Sequence, residues 1–314
     1  MGAATFLLLA AVPAAASEFA PLPVRNLYPP RLLFLQPSPS LPEQRSGGRM
    51  DLAYATVCAV HERGDTSLVT DMEVGRVAAV GRWGAPWGGG FSLEVPYLWY
   101  GGGAFDPVLD AYHDAFGFPD GDREDRPENA FGYRVTRGRH EYAPRSPAGG
   151  GLGDMVLEAV HPLGAPGPLR SAARLSLKLP TGSARNGFGS GHADGGGGVL
   201  ASWQGPRAGV GANVDVLYLG GSPDAALRLE SHWALSALAF AGVQLGPLGT
   251  AAAQLHFATS PYGTGLPALD RDVLLLALGV RRQVGADAWI SLGFTEDLVV
   301  QASPDFSLFV GVEW

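Results

Sequence analysis

Between residues 49 and 314 the chain divides into twelve segments of strand character, at 49–60, 72–83, 90–99, 152–161, 170–179, 197–203, 208–219, 233–245, 250–258, 273–283, 288–298 and 305–314. The links between them alternate in length. Counted back from the last segment, long links such as 299–304, 259–272, 220–232 and 180–196 take turns with tight ones such as 284–287, 246–249 and 204–207. The alternation continues through 162–169, 100–151, 84–89 and 61–71. Most segments have the nine to eleven residues that a tilted strand needs to cross a bilayer. An even set of antiparallel strands with its tight turns at one end and its long loops at the other is the asymmetry of a transmembrane barrel, and a sandwich has no reason to keep it. The expected fold is therefore all-β, a transmembrane antiparallel up-and-down β-barrel of about 12 strands, with tight turns and both barrel ends on the periplasmic side.

Within the segments, apolar and polar residues alternate with period two. Phe91, Leu93, Val95, Tyr97 and Trp99 oppose Ser92, Glu94 and Pro96, and Leu175 and Leu177 oppose Arg174, Ser176 and Lys178. Alternation alone is compatible with an inward or an outward apolar face. With the apolar set facing lipid, Ser92, Glu94, Arg174, Lys178, Asn213, Asp215, Gln254, Ser291 and Thr295 are expected to face a lumen. Both signs of charge occur there, so pairing across the lumen is expected, because an unpaired charge in a narrow cavity is costly. Segments 72–83 and 233–245 alternate poorly. Two aromatic girdles are expected, Trp83, Trp87, Trp203, Trp289 and Trp314 at the tight-turn end and Tyr97, Trp99, Tyr100, Tyr218 and Trp233 at the other.

The last segment has Phe306, Leu308, Val310, Val312 and Trp314 on one face and Ser307, Gly311 and Glu313 with Phe309 on the other. It resembles the carboxy-terminal strand of Gram-negative outer-membrane barrels that the barrel assembly machinery recognises. Those five apolar residues are the expected assembly signal. At the other end, Phe6 to Val12 is a short apolar run before Ala14-Ala15-Ala16-Ser17, which reads as a signal peptide over 1–17 despite lacking a basic residue ahead of the run. Residues 18–48 carry seven prolines between Pro21 and Pro42 and are expected to form an arm rather than a helix or a ladder strand.

Composition narrows the chemistry. With 45 Gly, 25 Pro and only 17% charged residues the chain is turn-rich and helix-poor. Cys58, the lone cysteine, excludes an internal disulfide and a cysteine metal cluster. The net charge of -8 argues against nucleic acid. In the long loop 100–151, Val108, Leu109, Tyr112 and Phe116 share a helical face beside His113 and Asp114, so a short amphipathic helix is expected from about Pro107. The acidic run Asp120 to Asp125 suggests Ca²⁺, but Arg123 and Arg126 can neutralise it, and neither metal nor cofactor is assigned. His232 and His256, near Ser231, Ser236 and Ser260, raise lipid hydrolysis, yet nothing in the sequence joins nucleophile, base and orienting acid, and the reading is that the protein is not an enzyme. Gly195 to Gly198 lacks the lysine of a phosphate loop.

Five landmarks, Pro21-Leu22-Pro23-Val24-Arg25-Asn26, Tyr112-His113-Asp114-Ala115-Phe116-Gly117, Gly151-Leu152-Gly153-Asp154, Lys178-Leu179-Pro180-Thr181-Gly182 and Ser303-Pro304-Asp305-Phe306, resemble those of an uncharacterised family of proteobacterial outer-membrane barrels. That family is related to the barrels encoded with MetA-pathway phenol-degradation operons. The resemblance implies an outer-membrane barrel that passes or binds a small, often hydrophobic compound, and the chain is expected to be a monomer in the cell outer membrane, in contact with outer-membrane lipid and lipopolysaccharide. A structural or surface-display barrel and a lipid-modifying enzyme remain the alternatives. The ligand candidates are Arg25, Asn26, Glu94, Tyr112, His113, Arg174, Lys178, Asn213, Asp215 and Gln254. Either the arm plugs the lumen, with Arg25 pairing Glu94 or Asp215 while the long loop folds in from the other side, or the arm is a disordered periplasmic tail.

Overall fold

A computed structural model describes residues 19–102, 130–144, 149–164, 168–299, 301–304 and 306–314. The signal-peptide reading over 1–17, the loop helix with Tyr112 and His113, and the acidic run at 120–125 lie outside these residues.

The strands are β1 Gly47–Arg63, β2 Thr66–Gly84, β3 Gly90–Gly101, β4 Gly132–Arg137, β5 His140–Tyr142, β6 Gly149–Leu152, β7 Met155–Pro162, β8 Leu169–Leu179, β9 Asp194–Gln204, β10 Ala208–Tyr218, β11 Trp233–Gln244, β12 Thr250–Ala258, β13 Val273–Val284, β14 Ala288–Asp297 and β15 Phe306–Glu313. Strands β6 and β7 pair side by side along β3 as the two halves of one stave. From Tyr97↔Leu152 to Glu94↔Val156, β3 advances three residues while its partner advances four, so one extra residue bulges out at Gly153-Asp154. Antiparallel pairing of β15 with β1, from Arg49↔Glu313 to Thr56↔Phe306, closes a 12-stranded barrel. Closure leaves no unpaired edge, which is what hydrocarbon requires of a β structure.

Alternation sets the direction of the side chains. On β8, Leu175 is 69% exposed on the outside while its neighbour Arg174 is 2% exposed on the inside. Glu94, Lys178, Asn213, Asp215, Gln254, Ser291 and Thr295 are likewise buried, and Ser92 is half-buried. A greasy outer face and a polar, packed interior is the barrel sense that lipid requires.

Three expectations are corrected. The link at 61–71 is a two-residue turn at Gly64-Asp65, where Gly64 takes a left-handed φ of 63°, and β1 and β2 run on to 17 and 19 residues. Beyond the barrel wall, β2 leaves β3 and pairs instead with β4, from Thr66↔Arg137 to Asp71↔Gly132, and β5 extends that hairpin. Residues 70–76 are consequently buried without interruption, so no period-two pattern could be read there. Second, Trp289 is not a girdle residue: it shares parity with Ser291 and Thr295, points inward, and packs 4.9 Å from the Arg281 guanidinium. Third, Tyr100 shares parity with Glu94, points inward against Phe188 at 5.2 Å, and donates to the Gly187 carbonyl at 2.7 Å. Trp99 is half-buried and lies flat on Gly75, where even a Cβ would overlap its ring. Trp83, Trp87, Trp203 and Trp314 at the tight-turn end, and Tyr97, Tyr218 and Trp233 at the other, remain exposed.

Trp314 joins the seam directly: its N–H donates to the Gly48 carbonyl and its carbonyl accepts from the Gly48 N–H, both at 2.9 Å, beside its girdle ring. Deleting Trp314 should lower the amount of folded protein in the outer membrane while the folded fraction stays heat-modifiable on gels. Unchanged levels after deletion would count against this residue as part of the assembly signal.

Candidate functional site

The interior is occupied by the proline-rich segment. Proline cannot donate to a ladder, and it holds the chain in an extended form whose own amides need other partners. The arm enters at the tight-turn end, where Phe19 lies against Gly209 and Gly242 and Gln204 donates to the Phe19 carbonyl. It then rises past Gly279 and Gly311, which have no side chains and so leave room for Leu22 and Pro23. At the long-loop end it makes one helical turn, α1 Pro29–Leu32, started by prolines at its first positions. There Tyr262 donates to the Pro30 carbonyl at 2.8 Å, and burial pushes that hydroxyl well above the usual tyrosine range, so it stays a neutral donor. The chain then descends again to Glu43, which meets Arg170 at the tight-turn end, and enters β1. The arm thus crosses the lumen twice.

Side chains of the wall satisfy the arm's backbone. Gln254 accepts from the Leu22 N–H at 3.0 Å. Asp194 accepts from Leu35 N–H at 2.9 Å and Glu158 from Ser38 N–H at 2.8 Å. Asn213 both accepts from the Ser40 N–H and donates to the Ser40 carbonyl, as an amide can. Each such bond is worth about 1 kcal/mol net, but leaving the buried amide unmade costs more.

Three charge clusters are threaded on this seam. In the first, Glu94 accepts from Arg25 at 2.7 Å and from Arg76, while Arg25 also donates to Ser38 Oγ at 2.8 Å and the Pro37 carbonyl. In the second, Arg174 grips Asp215 with both Nε and Nη2, lies 3.8 Å from Glu158 and donates to the Ser38 carbonyl. The fork geometry of Arg174 suits a carboxylate held from two sides. In the third, Lys178 pairs with Asp154 and with Asp194 at 3.3 Å, and donates to Ser190 Oγ at 2.9 Å. Two landmark motifs meet here: Thr181 donates to the Gly153 carbonyl and accepts from Met155 N–H, and Asp154 accepts from Gly182 N–H. The bulge at Gly153-Asp154 aims the aspartate at Lys178.

Arg25, Glu94, Arg174, Asn213, Asp215 and Gln254 all meet the arm or each other, and Lys178 reaches the arm only through Asp194, which holds the Leu35 N–H. Asn26 is apart from them, holding Gln36 and Tyr28 within the arm and reaching the Ala302 carbonyl at 3.4 Å. Sequence reasoning missed Arg76, Asp154, Glu158 and Asp194. Alternation against Leu157 would have found Glu158, and the strand pairing of Asp194 with Lys178 would have found Asp194, had β9 been started three residues earlier. Ser236 and His256 do come together, Oγ to Nε2 at 3.2 Å, but inside the lumen, and no carboxylate is bonded to that histidine among the described residues. His232 instead bonds the Leu219 carbonyl. A cavity of about 50 Å³ lies beside the Ser236–His256 pair, between arm and wall. Among the described residues no group of metal-binding side chains is assembled.

A family model described as a protein of unknown function, DUF3187, matches residues 2–314. No curated protein matches the chain by sequence. Of solved structures, the COG4313 outer membrane channel from Pseudomonas putida F1 is similar in fold, with a TM-score of 0.52 at 15% identity over 89% of this chain and 99% of that one. The NanC porin gives 0.49 at 6% identity over 86% and 99%, and the toluene transporter TbuX from Ralstonia pickettii gives 0.40 at 10% over 87% and 90%. The shared fold rests on the first of these alone.

Proposed function

The chain belongs to the DUF3187 family, and we propose that it acts in the outer membrane as a passive channel or binder for a small, apolar compound, with the N-terminal arm as its gate. The observation that supports this reading is the manner in which the arm is held. It fills the lumen from end to end, yet it takes no place in the sheet, and it is attached by side-chain hydrogen bonds and ion pairs that water can replace. Displacing it would uncover apolar wall along with the charged seam, because Leu22, Leu27, Leu33 and Leu35 are buried against that wall. The second reading, a structural barrel without a transported ligand, draws its support from the same filled lumen.

A reversible latch separates the two. A Cβ built on Gly311 lies 3.7 Å from the Pro23 Cβ, and disulfides span about 3.5–4.5 Å between Cβ atoms. In a Cys58→Ser background, Pro23→Cys with Gly311→Cys should form a bridge that pins the arm to β15. Oxidised cells are expected to take up toluene more slowly than reduced ones, and reductant should restore the rate. Uptake indifferent to the latch sinks the gate. Phospholipid hydrolysis measured on the same protein tests the lipid-modifying alternative.

A further inference from the structure

We propose that Arg31, with Ser236 and His256, forms a binding site for a small apolar monocarboxylate at the long-loop end of the lumen. The first observation is an unbalanced charge. Of the buried arginines among the described residues, Arg25, Arg49, Arg76, Arg174 and Arg281 each pair with a carboxylate. Arg31, 7% exposed, pairs with none. Its Nη2 donates to the Leu269 and Arg271 carbonyls at 3.0 and 2.6 Å, its guanidinium stacks 5.7 Å over Tyr262, and its Nε has no partner. The nearby aspartates are committed elsewhere: Asp270 accepts from Thr264 N–H and Oγ1 and from Gly265 N–H, and Asp272 from Ser260 N–H. A buried cation without an anion is costly, and a bound carboxylate would remove that cost.

The second observation is the cavity itself. It is lined by Arg31, Ser236 and His256 together with Phe34, Leu35, Leu217 and Val273, so a few polar groups converge on an otherwise apolar wall. Its volume of about 50 Å³ exceeds the roughly 10–15 Å³ that one water-sized sphere needs. About three to five such spheres make room for a carboxylate group and the start of a hydrocarbon tail. The carboxylate would take the Arg31 guanidinium, the Ser236 hydroxyl would supply a further donor, and the tail would lie along Leu217 and Val273.

As a ligand class for the proposed channel this rests on the transport reading, but the binding itself is measured without transport. Intact protein in detergent micelles is titrated calorimetrically with butyrate and with 1-butanol, against micelles alone. Butyrate should bind at least about tenfold more tightly than the alcohol, and Arg31→Met should remove that difference. Because Arg31 also holds the loop carbonyls, Ala258→Leu serves as the second variant: Ala258 lines the cavity and its side chain takes no part in those hydrogen bonds, and the larger side chain should abolish butyrate binding. Equal binding of acid and alcohol, butyrate binding undiminished in both variants, or no butyrate binding by the native protein would each overturn the site. A latch without effect on uptake, with butyrate still bound, would remove the channel reading and leave the site standing.

Discussion

Deletion of residues 18–42 should turn a barrel of near-zero conductance into one with a large, steady single-channel current. Twelve strands enclose a space between the filled eight-stranded barrel and the water-filled sixteen-stranded porin, so whatever occupies that space decides whether it conducts. Here the occupant is the arm, which crosses it twice. Its removal strips partners from Glu94, Glu158, Arg174, Asn213 and Gln254, and leaves a strip of charged and amide side chains that water will fill. The wall should survive, because every ladder from β1 to β15 closes without the arm. Heat-modifiability of the truncated protein checks that point before any current is recorded. An unchanged, near-zero conductance would mean that the long-loop end is sealed on its own, by the packing of Leu219, Leu227, Leu266 and Leu269.

The barrel was readable in the sequence because membrane strands obey two local rules together, period-two alternation and an asymmetry of link length, and each of the twelve predicted segments overlaps a stave. The rules stop where the lipid stops. The hairpin tip at 62–65 is exposed and polar, and the residues just below it on β2 are buried by protein rather than set against lipid, so 61–71 looked like a loop when it was two strands and a turn. Parity, applied strictly, assigns Trp289 and Tyr100 to the interior, but the expectation that aromatics mark girdles overrode it. The arm shows a different limit. Proline spacing said that residues 18–48 could join no ladder, and the Arg25 charge suggested a lumen partner, but a solvated tail was equally consistent with that composition. What decides between them is a set of backbone-to-side-chain bonds across 120 to 232 residues of sequence, such as Ser38 to Glu158 and Leu22 to Gln254, and no local pattern encodes those. The pairing of Lys178 with Asp154 was hidden in the same way: both residues stood in landmark motifs, and only the bulge brings them together.

Glu94→Gln is expected to be the most destabilising single substitution in the lumen, lowering the unfolding free energy by about 3 kcal/mol through the two guanidiniums it leaves unpaired. Glu94 is the carboxylate that Arg25 from the arm and Arg76 from β2 share, and all three side chains are almost fully buried. The amide keeps the shape and loses the charge. The nearest replacement anion is Asp51, whose Oδ1 has no hydrogen-bond partner, but Asp51 already carries Arg49 at 2.9 Å. One carboxylate would then face Arg25, Arg49 and Arg76 together. Arg25→Met makes the contrasting case, because it leaves the Glu94–Arg76 pair intact and should loosen the arm more than the wall. Its signature is a rise in conductance with a urea midpoint close to that of the native barrel. Combining the two substitutions removes one of the stranded cations, so the double variant should be more stable than Glu94→Gln alone, a coupling that a double-mutant cycle isolates. Urea unfolding in lipid vesicles, followed by tryptophan fluorescence, measures all four proteins on one scale. If Glu94→Gln unfolds at the native midpoint, the cluster is solvated in the membrane and the arm is not held by charge.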